Sequence, residues 1–297
     1  MIPPPFDYHR PRSLAEATGL LARLGEEARP IAGGHSLLPM MKLRLASPAH
    51  LVDLGELAEL RGLEIGPARV RIGAMLTQRE IVASEPLAEA LPILRETALR
   101  IADPQVRARG TIGGNLANGD PGNDLPAVML ALDATYLLAG AGGERRVPAR
   151  GFYAAAYVTA LEPGEILTAV EIPRPAVGHG WAYEKLKRKV GDYATAAAAA
   201  LLEVEGGRVA RCAIGLTNLA DTPLLAEAAA AAVIGSELGP EVLAEAAAEA
   251  EAITDPASDG RGPAAYRRKV GGVMVRRALE KAWARATGRG PAPGATP

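Results

Sequence analysis

Two short segments carry the residue types that grip a pyrophosphate: Ala32-Gly33-Gly34-His35-Ser36 and Thr111-Ile112-Gly113-Gly114-Asn115. A pyrophosphate has much charge and little shape, so backbone N–H groups hold it best, and they must come close. A Gly-Gly pair removes the side chains that would obstruct that approach and permits positive φ. Ser36 and Thr111 add hydroxyl donors, and a helix starting after either segment would turn its positive end toward the phosphates. Neither segment is the GxGxxG of a doubly wound dinucleotide fold, and no GxxxxGK[ST] is present, so a nucleotide kinase or an ordinary NAD dehydrogenase is unsupported. Gly-Gly pairs are also common in plain turns, and that reading stands beside the functional one.

The other reactive side chains are sparse. The one cysteine, Cys212, permits no internal disulfide and no iron–sulfur cluster, which needs four thiolates. His9, His50 and His179 lack metal-ligand spacing, and His35 has no evident partner for acid–base work, so no residue is assigned as catalytic or as a metal ligand. Lys185, Lys187, Arg188 and Lys189 read either as a solvated strand face or as charges facing a cofactor or partner. Asp103 is expected to pair with Arg107 and Arg109. Asp120 and Asp124 are placed to cap a helix at Leu125. The chain has 33 basic and 34 acidic residues, a balance that gives no reason to expect nucleic acid. The segment 1–12 has no apolar run of the signal-peptide kind, and no stretch reaches the ~20 apolar residues that span a bilayer, so a cytoplasmic protein is expected.

The elements that must position these residues read as follows. Ser13 to Leu24 is an amphipathic helix, with Ser13 and Glu16 as a capping box and Gly25 as its stop. A strand at Arg29–Ala32 runs into the first glycine segment, Ser36 to Leu45 is helical, and a strand at Leu51–Leu54 closes a first lobe at about residue 55. In the second lobe, Leu63–Ile65 and Val70–Gly73 pair across Gly66-Pro67. Helices follow at Thr77–Ser84 and Leu91–Ile101. A glycine- and asparagine-rich stretch from Gly110 to Asp124 precedes a helix at Leu125–Leu132, then strands at Thr135–Leu138, Arg145–Val147 and Ile166–Ile172. Pro173–Gly180 is a linker. Beyond it, the run Ala196–Ala200 favours helix by propensity. The pattern Ala199–Glu205, Gly206-Gly207, Arg208–Gly215 is that of a hairpin, and strands are expected. Glu241–Ile253 and Pro263–Thr287 are helices, and 289–297 is a disordered tail. Mixed strand clusters and helices indicate an α+β fold.

The stretches AGGHSLLPMMKLRLASPAHLVDL at 32–54, IADPQVRARGTIGGNLANGDPGNDLPA at 101–127 and YEKLKRKVGDYATAAAAA at 183–200 resemble the flavoprotein subunits of the xanthine oxidase family of molybdenum hydroxylases, most closely the branch that oxidises carbon monoxide. The likeness runs from Phe6 to the segment ASDGRGPAAYR at 257–267. It implies a two-lobed vanillyl-alcohol-oxidase-like (PCMH-type) FAD-binding domain at 1–177, with lobes of about 1–55 and 56–177. A small C-terminal domain at 178–288, with a three-stranded antiparallel sheet and helices, would complete it.

The resemblance also implies roles. Ala32 to Ser36 and Thr111 to Asn115 bind the FAD pyrophosphate and ribityl oxygens. Asp124 lies near the adenosine or ribose end, Lys185 near the flavin, Leu167 against the cofactor, and Tyr193 against the isoalloxazine ring, covering one face. Nothing resembles a nicotinamide site, so the implied external acceptor is a quinone or another carrier. The implied partners are a large subunit with a molybdopterin cofactor and a small subunit with [2Fe-2S] clusters, in a dimer of heterotrimers that could sit at the inner face of the membrane. The substrate alternatives are an aldehyde, a purine or an N-heterocycle. A non-redox assembly module whose glycine segments are only turns is the reading from another class.

Overall fold

A computed structural model describes residues 2–288; the expected disorder of 289–297 lies outside the described residues. The first lobe is a three-stranded parallel sheet, ordered β1-β3-β2. It comprises β1 (Asp7–His9), α1 (Leu14–Leu24), β2 (Ala28–Ile31), α2 (Leu37–Lys42) and β3 (His50–Asp53). Ser13 caps α1 by accepting the Glu16 amide, and Gly25 ends it at φ +62°. Glu16 reaches back to the amide of Arg12 and not to that of Ser13, so the reciprocal half of the box lands one residue early. The strand β1 escaped the sequence reading because three residues carry no periodicity; pairing with β3 creates it.

The second lobe is built on a five-stranded antiparallel sheet, ordered β4-β5-β10-β6-β7. Its strands and helices are β4 (Leu63–Ile65), β5 (Arg69–Gly73), α3 (Gln78–Ala83), α4 (Glu85–Ala90), α5 (Pro92–Arg100), α6 (Pro104–Arg109), α7 (Ile112–Ala117), α8 (Asp124–Ala131), β6 (Thr135–Gly140), β7 (Gly143–Pro148), β8 (Tyr153–Ala155), β9 (Val158–Thr159) and β10 (Ile166–Pro173). The complete capping box is at Thr77 and Glu80, where α3 starts. Three helices of this lobe were not foreseen in sequence, α4, α6 and α7. Asp103 does not pair with Arg107 or Arg109: its carboxylate accepts the Val106 amide and caps α6. Arg107 donates to the Ile101 carbonyl instead.

The third part has β11 (Gly180–Leu186), β12 (Ala196–Glu205), β13 (Arg208–Thr217), β14 (Leu224–Leu225), α9 (Glu227–Val233), α10 (Pro240–Ala252) and α11 (Ala264–Thr287). Its three long antiparallel strands acquire a two-residue fourth, in the order β11-β12-β13-β14. Gly206 and Gly207 have φ of 57° and 78°, the two positive values that a type I′ hairpin turn requires. The run Ala196–Ala200 is strand, and every one of its side chains is fully buried. Ala197, Ala199 and Leu201 face the core of the second lobe. Ala196, Ala198, Ala200 and Leu202 face the core under α11. A strand covered on both faces must carry small side chains if helices close on it. A Cβ on Gly180 would overlap the carbonyl of Ala282 in α11, and one on Gly215 would overlap the carbonyl of Ala127 in α8. Tertiary packing overrides alanine's helix propensity here.

Charged groups lock α11 to the second lobe. Glu96 of α5 accepts from Arg285 at 2.6 Å, Lys281 at 3.1 Å and the Tyr183 amide at 2.9 Å. Burial alone would raise the Glu96 carboxyl, but Arg285, the Tyr183 amide and Lys281 outweigh it and hold it below the ordinary range. A carboxyl depressed in the folded state adds stability above its unfolded value of about 4.3, and that stability is lost as pH falls through the folded value. Acid titration of unfolding should therefore show stability declining below about pH 4.3. Glu96→Gln should flatten that decline and cost about 1–3 kcal/mol at neutral pH, measured by denaturant unfolding.

Candidate functional site

One cavity of about 870 Å³ lies between the two lobes and the 185–193 segment. That is within the roughly 300–1,000 Å³ of ligand pockets. All the residues assigned to binding in the sequence line it except Ile112. Ile112 points the other way: it is fully buried in the core of the second lobe, as the apolar residue in the first turn of α7.

The first glycine segment joins the end of β2 to α2. Gly34 sits at φ +76°. A Cβ on Gly33 would overlap the carbonyl of Arg109, so glycine there lets the two segments approach one another. Among the described residues, the amides of Gly33, Gly34, His35 and Ser36 meet no acceptor. Ser36 precedes α2 without capping it, which leaves its hydroxyl available. His35 is exposed at the rim. Four successive open amides on a cavity wall form an anion-binding concavity.

The second segment is built differently. It is the start of α7, and its amides from Ile112 onward are engaged: Ile112 to the Leu76 carbonyl, Gly113 to the Ala74 carbonyl, Gly114 to the Thr111 hydroxyl and Asn115 to the Thr111 carbonyl. What it offers the cavity is the Thr111 hydroxyl proton, the open surface of Gly114 and the Asn115 side chain, whose buried Oδ1 has no partner. A Cβ on Gly113 would stand 2.5 Å from that of Ala74, so this glycine serves the packing of α7. The two segments, alike in sequence, thus differ in chemistry.

Asp124 does not cap a helix. It is itself the first residue of α8, and its carboxylate turns toward β11. It accepts from Lys185 Nζ at 2.8 Å and from the Tyr183 hydroxyl at 2.5 Å, and Lys185 also donates to the Arg100 carbonyl at 3.2 Å. Both side chains are buried, Lys185 to 1% exposure and Asp124 to 6%. Burial pushes the Asp124 carboxyl up, against the pull of Lys185 and Tyr183. Lys185 therefore belongs to no solvated strand face, whereas Arg188 and Lys189 are exposed. The ion pair also puts Asp124 and Lys185 at the same end of the cavity, so the two cannot mark opposite ends of one ligand.

Tyr193 stands at the cavity mouth, 40% exposed, and Leu167 forms part of the buried wall. Residues missed in the sequence complete the site. Gln78 donates to the Thr111 carbonyl, and its buried Oε1 has no partner. Asn123 donates to the Asn115 carbonyl at 2.7 Å. Ala102 and Tyr157 line the cavity at φ of 41° and 61°, conformations that cost non-glycine residues free energy and cluster at functional sites. No spacing or composition signal marks any of these four. Free amides, two orphaned amide oxygens and apolar walls fit a dinucleotide: an anionic centre with hydroxylated and aromatic flanks.

A buried pair broken on one side leaves an uncompensated charge, which costs about 3–5 kcal/mol. Lys185→Met should show a loss of that order in denaturant unfolding of the purified chain. Adding Asp124→Leu to it should recover more than about 1 kcal/mol of the loss.

Known proteins resemble this chain over nearly its whole length. Residues 4–175 match the family described as the FAD binding domain in molybdopterin dehydrogenase, and residues 181–282 match the CO dehydrogenase flavoprotein C-terminal domain. The chain is 60% identical to the carbon monoxide dehydrogenase medium chain of Afipia carboxidovorans, over 96% of this chain and 99% of that one. It is 49% identical to the medium chain from Hydrogenophaga pseudoflava, over 96% and 99%. A solved structure of a Cu,Mo-CO dehydrogenase in a cyanide-inactivated form contains a chain that superposes with a TM-score of 0.95 at 60% identity, covering 96% of this chain and all of that one. The chain belongs to the family of FAD-binding flavoprotein subunits of the molybdopterin dehydrogenases.

Proposed function

We propose that this chain is the FAD-carrying medium subunit of a carbon monoxide dehydrogenase, and that the cavity between the lobes holds the cofactor. The observation that carries the placement is the row of open amides from Gly33 to Ser36 on the cavity wall. In this reading those amides and the Ser36 hydroxyl take the pyrophosphate. The Thr111 hydroxyl and the Asn115 side chain meet neighbouring ribityl oxygens. Leu167 packs against the ring system and Tyr193 covers one of its faces. Asp124 and Lys185 set a fixed, internally compensated charge beside the flavin end. FAD supplies the redox chemistry, accepting electrons singly and releasing them in pairs. The chain binds it, excludes water along the walls and selects which edge is exposed.

The proposed electron donors are iron–sulfur clusters of a small subunit, fed by oxidation of carbon monoxide on a large molybdenum-binding subunit. The proposed acceptor is a quinone, and the proposed assembly is a dimer of heterotrimers. The 60% identity over nearly the full length of both chains supports carbon monoxide over an aldehyde, purine or N-heterocycle as the substrate of the complex. Among the described residues, no helix is long and apolar enough to cross a membrane. We place the division between the FAD domain and the C-terminal domain at 177/178, within the 174–179 connection between β10 and β11.

The purified complex should contain FAD in equal number with this chain, read by absorption and mass. Gly114→Val should reduce FAD occupancy at limiting cofactor by about tenfold or more, because its side chain enters the cavity. Full retention in a folded Gly114→Val variant would refute the placement. The complex should reduce a soluble quinone in a carbon-monoxide-dependent reaction, and this chain alone should show no such activity; oxidation of carbon monoxide by the isolated chain would overturn the assignment.

A further inference from the structure

The segment between α10 and α11 contains a group of charged side chains that grips the turn carrying Tyr193. The Tyr193 amide donates to Asp192 Oδ1 at 2.9 Å. Asp192 Oδ2 is held by Arg188 Nε at 3.1 Å, and Arg188 Nη1 donates to the Gly260 carbonyl at 2.8 Å. From the other side, Arg261 pairs with Asp259 at 2.9 Å and approaches Asp192 at 3.9 Å. Its guanidinium carbon lies 5.8 Å from the centroid of the Tyr193 ring. Beneath them the buried Arg267 donates to the carbonyls of Thr195, Asn218 and Ala257, which anchors both segments to one side chain.

A Cβ on Gly122 would come within 2.8 Å of the ring's Cδ1, so the second lobe packs against that edge. Arg261 lies over the ring and is not part of the cavity lining. The Nε of Arg261 is buried with no hydrogen-bond partner. A guanidinium tied only to carboxylates would turn that nitrogen toward an acceptor or water. Lying against an aromatic ring, it is placed where its flat face and charge interact with the π system. Asp259 holds the same group from the far side.

We propose that Arg261 is a positioning residue for Tyr193, fixing the ring at the cavity mouth over the bound flavin through the 259–261 clasp. The inference rests on the reading above that Tyr193 faces the isoalloxazine ring. The clasp comes from the C-terminal domain, so the position of that ring is set from outside the lobes that hold the rest of the cofactor.

The test uses the purified complex with FAD bound. Tyrosine stacked on a flavin quenches its fluorescence, so release of the ring is visible directly. Arg261→Gln should raise flavin fluorescence per FAD and raise the rate of FAD loss roughly two- to fivefold. Arg261→Lys, which keeps the charge but not the two-carboxylate fork, should restore part of each. In a Tyr193→Ala background, Arg261→Gln should change neither quantity further. If Tyr193→Ala alone leaves fluorescence and FAD release unchanged, the flavin placement fails and the inference with it. If Tyr193→Ala alters them and Arg261→Gln does not, only the inference fails. If Arg261→Gln acts equally with and without Tyr193, the clasp is merely structural and the inference also fails.

Discussion

The constraint on which the rest of the structure depends is the close approach of backbones on both faces of β12. Glycine at 180 and 215 and alanine from 196 to 200 let α11 and α8 come down onto the strand pair until carbonyls occupy the space of absent side chains. Dispersion and apolar burial reward that contact along its whole length. The result is a continuous core, with Ala197, Ala199 and Leu201 buried among the apolar residues of the second lobe. Because β11 is in register with β12, Lys185 arrives opposite Ala197 and under Asp124. The same contact brings the 191–193 turn to the rim of a cavity made otherwise by the two lobes.

A cofactor site made of parts from three regions needs groups that stay fixed before the ligand arrives. The structure supplies rigidity in two chemical forms. At the second glycine segment, amides that might have faced a phosphate are committed to Leu76, Ala74 and Thr111, which fastens α7 to the strand-end segment at 74–76. At the first, the amides are left open and the loop is fixed from behind by the Gly33 contact with the Arg109 carbonyl. One segment is a scaffold that presents side chains, the other a cradle. The asymmetry follows from hydrogen-bond accounting, since an amide already paired in a protein contact has no donor left for a ligand.

The buried Asp124–Lys185 pair shows the electrostatic side of the same design. Taking two charges from water is expensive, and such a pair contributes little net stability over an apolar replacement. Its presence at the cavity wall, with Tyr183 as a further donor, puts polarity where a ligand meets the domain contact. Burial pushes the Cys212 thiol up to about 12, which keeps it protonated and inert.

The sequence by itself determined the α+β character, most of the longer elements, the hairpin at Gly206-Gly207 and the two glycine segments. Those features are local: periodicity, capping side chains and turn residues act within a few positions of one another. Resemblance added the cofactor and family, which no local pattern in the chain could supply. The tertiary structure decided what depends on neighbours distant in the chain. It buried both faces of the alanine run, whose strand the hairpin pattern already marked, sent Asp124 to Lys185 instead of to a helix end, and turned Ile112 into the core. It also revealed which glycine segment keeps its amides free. The reason is common to all four: burial, ion pairing and hydrogen-bond satisfaction are set by which groups meet across folded elements, and sequence spacing does not encode that encounter.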